Sequence, residues 1–202
     1  MSAIVLYGPP TAGKDTITAL LNMTDARCKL VTKLKHGSGR TSGYRFVDAD
    51  ELNALRARDR LVVETRRYGN VYAVDRRDLD EMRSAGLVPV VHIGNIADLR
   101  RLLSGFQTEW TRVLLWVSRK TCEERSRLRG DKDTPARLRA WDATASDLAA
   151  SDLSGVFDLA IRTDEVDASG AVRAVTAALR APQPACDPQE LRDRLDLPGL
   201  RK

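Results

Sequence analysis

The chain has 202 residues, 43% of them hydrophobic, which is enough for one compact domain with inserted subdomains and a sizeable core. Lys and Arg outnumber Asp and Glu by 33 to 28, a charge of +5 that suits polyphosphate as well as nucleic acid; aromatics at 5%, with none interleaved through a basic stripe, weaken the nucleic-acid reading. No apolar run reaches a membrane span, no secretory signal opens the chain, and Cys28, Cys122 and Cys186 have neither metal nor disulfide spacing, so a cytoplasmic protein without zinc, disulfides or membrane contact is expected.

Residues 3–7 (AIVLY) form an apolar run that leads at once into a Gly/Pro turn, after which residues 15–23 carry the helical spacing of Ile17, Leu20 and Leu21. Apolar runs return at 87–93, 112–117 and 157–161. Helical stretches at 76–85, 96–104 and 135–150 precede them in turn, and 168–179 reads as a closing helix. Strands apolar nearly throughout and alternating with helices predict an α/β fold with a parallel sheet covered on both faces. Residues 31–75 break this rhythm with Gly, Arg and Tyr (GSGRTSGY, YGNVY) and read as an insert. The expected organisation is a core at 1–30 and 76–180, the insert at 31–75, a lid at 118–140 within the core, and an extension at 181–202. That extension reads as loosely packed, with a short amphipathic helix at 189–195.

Gly8 through Lys14 satisfy G-x-x-x-x-G-K between an apolar strand and a helix, the context that the P-loop mechanism requires. Glycines at 8 and 13 allow a tight turn that points successive N–H groups inward, and the helix adds its positive end. Gly8, Ala12, Gly13, Lys14, Asp15 and Thr16 are therefore the candidate ATP-binding residues, with Lys14 reaching the β- and γ-phosphates. Asp15 stands where the common motif has Ser or Thr. A carboxylate is a good hard-oxygen ligand for Mg²⁺, the expected cofactor, and Thr16 adds a hydroxyl about 100° further round the helix. Asp15 also suits a helix start without any metal role.

Arg125 and Arg129 are four apart on one helix face, Gly130 opens a turn, and Arg137 begins the next helical segment. Three arginines about a turn suit a lid that closes over phosphates and stabilises transferring charge. His92 ends a predicted core strand and faces the crevice where open α/β sheets bind ligands; a base toward an acceptor hydroxyl and a ring satisfied by backbone are both compatible with that position. Asn95 suits either contact with the acceptor or a helix cap.

These motifs in this order, with Gly43-Tyr44-Arg45-Phe46-Val47, Asp50-Glu51-Leu52, Tyr68-Gly69-Asn70-Val71-Tyr72 and Arg137-Leu138, resemble the guanylate kinase family of nucleoside monophosphate kinases over roughly residues 3–180. The resemblance implies that Lys14, Arg125, Arg129 and Arg137 are the catalytic cations and that Tyr44 and Tyr72 help hold the acceptor phosphate. The family's acceptor-phosphate clamp falls on the altered stretch at 31–39, where Lys33, with Lys35 or His36 and Arg40 nearby, stands in for arginines. Lysine is a point charge where arginine is a planar fork, so phosphate binding is expected with changed geometry. The family's base-reading Glu falls on Val63, with Glu64 one place off on the opposite strand face, and its acidic strand end falls on His92-Ile93-Gly94. Without those carboxylates guanine's donors stay unpaired, at roughly 1 to 3 kcal/mol each, so GMP is not expected as the preferred acceptor. The Gly-Lys-Asp variant and the missing acidic strand end are also similar to ribose 1,5-bisphosphate phosphokinase, a relative with a phosphosugar acceptor.

The resulting expectation is a kinase that moves the γ-phosphoryl group of Mg-ATP to a small phosphorylated acceptor held by Lys33, Arg40, Tyr44, Tyr72, His92 and Asn95. A nucleotide, a phosphosugar and a nucleoside-like natural product all remain open as that acceptor. Its partners are ATP and this acceptor, without nucleic acid, in a monomer or homodimer. An inactive binding module of the same fold is the alternative of another class.

Overall fold

The computed structural model describes residues 2–39, 43–67, 69–130, 133–181 and 184–195. Strand β1 (Ser2–Tyr7) is buried almost throughout and leads through the Gly-rich loop into helix α1 (Lys14–Thr24). The short strands β2 (Cys28–Leu30), β3 (Lys33–His36) and β4 (Tyr44–Phe46) follow, then helix α2 (Ala49–Ala57) and the hairpin β5 (Leu61–Arg67) and β6 (Asn70–Asp75). From there the chain alternates: α3 (Arg76–Ser84), β7 (Val88–Ile93), α4 (Ile96–Gly105), β8 (Glu109–Trp116). It continues through α5 (Arg119–Leu128), α6 (Thr134–Ala150), β9 (Leu159–Arg162), α7 (Ala168–Arg180) and α8 (Pro188–Leu195).

Five strands form a parallel sheet in the order β2-β7-β1-β8-β9. Ile4, Val5, Leu6, Val90, Val91 and Leu114 are fully shielded, because a parallel sheet with helices on both faces leaves no wet side. The expected α/β class with a helix-covered parallel sheet is the observed one. Its strands β1 and β7 came into neighbouring register, Leu6 opposite His92, so their carboxyl ends open side by side.

Residues 33–75 build a second sheet, β4-β3-β6-β5, antiparallel except between β3 and β4. Its small core is Leu34, Val47, Leu52 and Ala73. On β5, Val62 and Val63 turn instead into the main core, and Arg76 donates to the carbonyl oxygen of Gly105 at 2.6 Å, so the second sheet is fastened against α4. This fixes the mouth of the crevice between the two sheets.

Trp141 and Asp147 tie helix α6 to the main sheet and the start of α4. Trp141 packs on Trp116 with ring centres 5.1 Å apart and donates from Nε1 to the carbonyl oxygen of Val117 at 2.8 Å. Two turns on, Asp147 Oδ2 accepts from Tyr7 Oη at 3.1 Å and from the backbone N–H of Ile96 at 2.7 Å. Burial beside that carboxylate pushes the Tyr7 phenol far above its usual range, so it stays a donor.

The described residues of the extension differ from the loose packing expected of it. Leu191 and Leu195 of α8 are 2% exposed and join the main core, and the Arg192 guanidinium donates to the carbonyl oxygens of Ala149 and Ser151 at 3.0 and 2.9 Å. The amphipathic face read at 189–195 finds an apolar surface beside β9 and α6. Among the described residues no helix is long and apolar enough to cross a membrane.

Candidate functional site

Gly8 has a φ of 154°, and a Cβ on it would lie 2.2 Å from the carbonyl oxygen of Leu115 in β8. The loop therefore leaves the sheet hard against the neighbouring strand, by a path open only to glycine. Gly13, at φ 86°, is the left-handed residue that starts α1. Helices α2 to α7 each receive a side-chain cap, from Asp48, Asp75, Asn95, Ser118, Asp133 and Asp167; the N-cap of α1 makes no side-chain bond. Its first amides are left for another acceptor, and an anion is the natural one.

Lys14 Nζ folds over this loop and donates to the carbonyl oxygens of Gly8 and Pro9 at 2.6 and 2.7 Å. Burial lowers its pKa to about 7, with Arg67 and Lys33 adding to the effect and Asp15 opposing it. A cavity of about 320 Å³ opens in front of the lysine. On its loop side lie Gly8, Ala12, Gly13, Lys14 and Asp15; on the second-sheet side Lys33, Tyr44, Thr65, Arg67 and Tyr72; at the strand ends His92, Gly94, Asn95 and Asp98; and across the mouth Arg129 and Arg137.

A second cavity, about 330 Å³, adjoins the loop from the other face. Thr11, Gly13, Thr16, Arg125, Arg129, Thr163, Val166, Asp167 and Ala168 line it. Arg129 and the loop residues Thr11 and Gly13 border both cavities.

Of the expected site residues, the first cavity gathers Gly8, Ala12, Gly13, Lys14, Asp15, Lys33, Tyr44, Tyr72, His92, Asn95, Arg129 and Arg137. Thr16 faces the second cavity, so it does not converge with Asp15 on one ion; the 100° step along the helix separates them. Arg125 also lies away from the first cavity. Its Nη1 donates to the carbonyl oxygen of Thr11 at 3.1 Å and to Thr163 Oγ1 at 3.0 Å, and Nη2 donates to the Thr163 carbonyl oxygen, so it braces the loop. Asn95 uses both halves of its amide on Asp98: Oδ1 accepts from the backbone N–H at 2.8 Å and Nδ2 donates to Oδ2 at 2.6 Å. It borders the cavity as the cap of α4. Arg40 falls outside the described residues, as does Tyr68.

The second-sheet side carries a dense positive field. Lys33 Nζ donates to the carbonyl oxygen of His92 at 2.5 Å, and burial lowers its pKa to about 8. Lys35, 2% exposed, sits among the rings of Tyr44, Phe46 and Tyr72 at 5.2 to 5.8 Å from their centres. Tyr44 and Tyr72 themselves pack with ring centres 5.3 Å apart. Lys35, one of the two alternatives for a phosphate-clamp cation, is thus an aromatic-caged post behind the tyrosines. His36, the other, has its Nδ1 3.2 Å from the carbonyl oxygen of Val47.

Four residues of the site were missed in the sequence. Thr65 and Arg67 follow Val63 by twos on β5, so strand alternation aimed them at the crevice once Val63 was placed there. A Cβ at Gly94 would lie 3.1 Å from Arg67 Nη1: a cation occupies the space beside the strand end where the resemblance placed a carboxylate. Asp98, 4% exposed, accepts from Thr65 Oγ1 at 2.5 Å and from Arg101 at 3.1 Å besides Asn95. Thr18 lies one helical turn past Lys14 and meets His92 at 2.8 Å. Glu64 points the other way and pairs with Arg56 at 2.9 and 3.0 Å.

No family model and no curated protein matches the chain. Among solved structures, the crystal structure of guanylate kinase from Anaplasma phagocytophilum aligns over 96% of this chain and 94% of its own, with a TM-score of 0.64 at 18% identity. The chain has the guanylate kinase fold. The YorR protein of Bacillus subtilis, in complex with phosphorylated GDP, aligns more loosely, with a TM-score of 0.43 at 14% identity over 89% of this chain and 96% of that one. In this guanylate kinase fold the Gly-rich loop lies at the end of the central strand, and the second sheet stands across the crevice from it.

Proposed function

We propose that the chain is a phosphotransferase that moves the γ-phosphoryl group of ATP to a small phosphorylated acceptor, with GMP not the preferred one. The observation that carries this is one continuous cavity with the Gly-rich loop and Lys14 on one side and Lys33, Arg67, Tyr44 and Tyr72 on the other. Two anionic molecules can meet there end to end. The open N-terminus of α1 and Lys14 hold the β- and γ-phosphates, and the second cavity beside Thr163 and Val166 has room for the rest of the nucleotide. Lys33, Arg67 and the two tyrosines hold the acceptor's phosphate.

An acceptor oxygen attacks the γ-phosphorus in line as the bond to the β–γ bridging oxygen breaks, and ADP leaves. Lys14, Arg129 and Arg137 offset the charge on the group in transit, and no covalent enzyme intermediate is needed. Asp15 is the carboxylate that would hold magnesium. Its side chain is 83% exposed at the loop's edge. That fits an ion held by one protein carboxylate with phosphate oxygens and water, where it offsets phosphate charge.

GMP fits poorly because Val63 is buried in the core, Glu64 is turned away to Arg56, and Arg67 lies beside Gly94. Asp98, a carboxylate that does line this cavity, is already engaged by Asn95, Thr65 and Arg101, so it does not take the place of the two family carboxylates. The test is ATP consumption by the purified protein with GMP, dGMP, other nucleoside monophosphates, ribose 1,5-bisphosphate and unphosphorylated nucleosides. Turnover is expected with a phosphorylated compound and not chiefly with GMP. GMP as the best acceptor overturns the acceptor reading; failure to bind ATP at all overturns the kinase reading. Lys14→Met is expected to cut transfer by roughly a hundredfold or more with the fold retained.

A further inference from the structure

Thr18 sits between Lys14 and His92 with one proton to give. Its Oγ1 lies 2.8 Å from the carbonyl oxygen of Lys14, to which it donates, and 2.8 Å from His92 Nε2. With that proton committed, Oγ1 meets the ring as an acceptor, so Nε2 carries the ring's hydrogen. The opposite tautomer forfeits one of these two bonds. It gains only the approach of Nδ1 to Asp15 Oδ1 at 3.6 Å, too long for a hydrogen bond. Nδ1 is therefore a bare acceptor on the cavity wall, with no hydrogen-bond partner among the described residues. Lys14 and Lys33 line the same cavity, and Lys33 Nζ meets the carbonyl oxygen of His92, so a further positive charge on the ring is disfavoured.

Thr65 repeats the arrangement on the facing wall. Its hydroxyl proton goes to Asp98 Oδ2 at 2.5 Å, a carboxylate held in turn by Asn95 and Arg101. The Thr65 oxygen, like the His92 nitrogen, is left with lone pairs and no proton of its own to offer. Two neutral acceptors thus line a crevice that also holds the cations Lys14, Lys33, Arg67, Arg129 and Arg137. Phosphate oxygens cannot satisfy them, since both sides would be acceptors; hydroxyl groups can.

We propose that His92 Nδ1 and Thr65 Oγ1 select the acceptor molecule by taking hydrogen bonds from its hydroxyl groups, which makes it a polyhydroxylated phosphate ester, and that Thr18 is the positioning residue that sets the His92 tautomer. This rests on the reading that the crevice holds a phosphorylated acceptor.

The chain has two histidines, so nitrogen-15 NMR of histidine-labelled protein resolves His92 once His36→Gln assigns the other ring. The expected spectrum of the ligand-free protein shows His92 with an unprotonated Nδ1 and a protonated Nε2. Thr18→Val shifts the tautomer population and Thr18→Ser restores it. Ribose 5-phosphate, added as a probe with a non-hydrolysable ATP analogue, moves the Nδ1 resonance and leaves Nε2 in place, while inorganic phosphate moves neither. The proposal fails if the proton is found on Nδ1, if Thr18→Val leaves the wild-type tautomer, or if the sugar phosphate acts no differently from inorganic phosphate. Calorimetry of the ATP analogue in the same samples separates the two levels: absent ATP binding removes the kinase reading, whereas the tautomer is read without any nucleotide.

Discussion

Arg125 donates to the carbonyl oxygen of Thr11 across 114 residues of sequence, joining α5 to the Gly-rich loop at 3.1 Å. Thr11 is a non-glycine residue at φ 61°, a conformation that its surroundings must hold. Arg125→Ala should therefore act as a loop mutation, lowering stability by about 3 kcal/mol and raising the KM for ATP. Arg129→Ala, at an exposed position between both cavities, should lower kcat with an unchanged melting temperature. Thermal melts and steady-state kinetics on the two variants check this, and equal effects on melting would rule out the bracing role.

Lys14 and Lys33 have pKa values lowered to about 7 and 8, in both cases chiefly by burial. A bound polyphosphate favours their charged forms, so ATP binding between pH 7 and 8 should take up a fraction of a proton to about one proton. Below about pH 6 both groups are already charged and the uptake should vanish. Calorimetry in buffers of different ionisation enthalpy measures it directly. The linkage also has a sign for the ligand-free protein: above pH 7 the unfolded chain binds the Lys14 proton and the folded one releases it, so this group adds stability as the pH rises from 7 toward 10. A binding enthalpy independent of buffer would count against buried cations at the phosphate site.

Gly8→Ala introduces a methyl group 2.2 Å from the Leu115 carbonyl oxygen, which belongs to the buried second half of β8 and cannot yield. The loop must shift instead. The expected result is a loss of about 1 to 3 kcal/mol in stability and of ATP affinity together. Denaturant melts and equilibrium titration with ATP give both numbers; wild-type affinity in this variant would show that the loop does not cradle phosphate.

Leu191→Ala tests whether the C-terminal extension belongs to the fold. The side chain is 2% exposed in the main core, so its removal should cost about 2 to 5 kcal/mol in a denaturant melt. A cost within about 0.5 kcal/mol would return the extension to the loosely packed state that its prolines suggest.

The alternation of helices and strands was readable because β1, most of β7 and the second half of β8 are buried on both faces and show as apolar runs. β2 (CKL) and β4 (YRF) were not readable: each is three residues long and largely exposed, and owes its place to pairing with Val88–Val90 and with β3. The donor side of the site was legible for a similar reason. Its loop spacing is local, so Gly8 to Asp15 carry their geometry in the sequence itself. The acceptor side is assembled from distant partners. Asp98 meets Thr65 across 33 positions and Thr18 meets His92 across 74, and neither pair leaves a local pattern. Arg125 misled for the same reason, since its spacing from Arg129 says that they share a helix face but not that Thr163 claims one of them.

Helix α6 meets the core at Trp141 and again at Asp147, and two fixed points define a line. Six residues apart, they span about 9 Å of helix axis, long enough to set direction as well as position. Arg137 stands one turn before the first of them, like a post set beside its footing. The site therefore has at least one cation whose place is decided when the chain folds, and an incoming phosphate must find Arg137 rather than gather it.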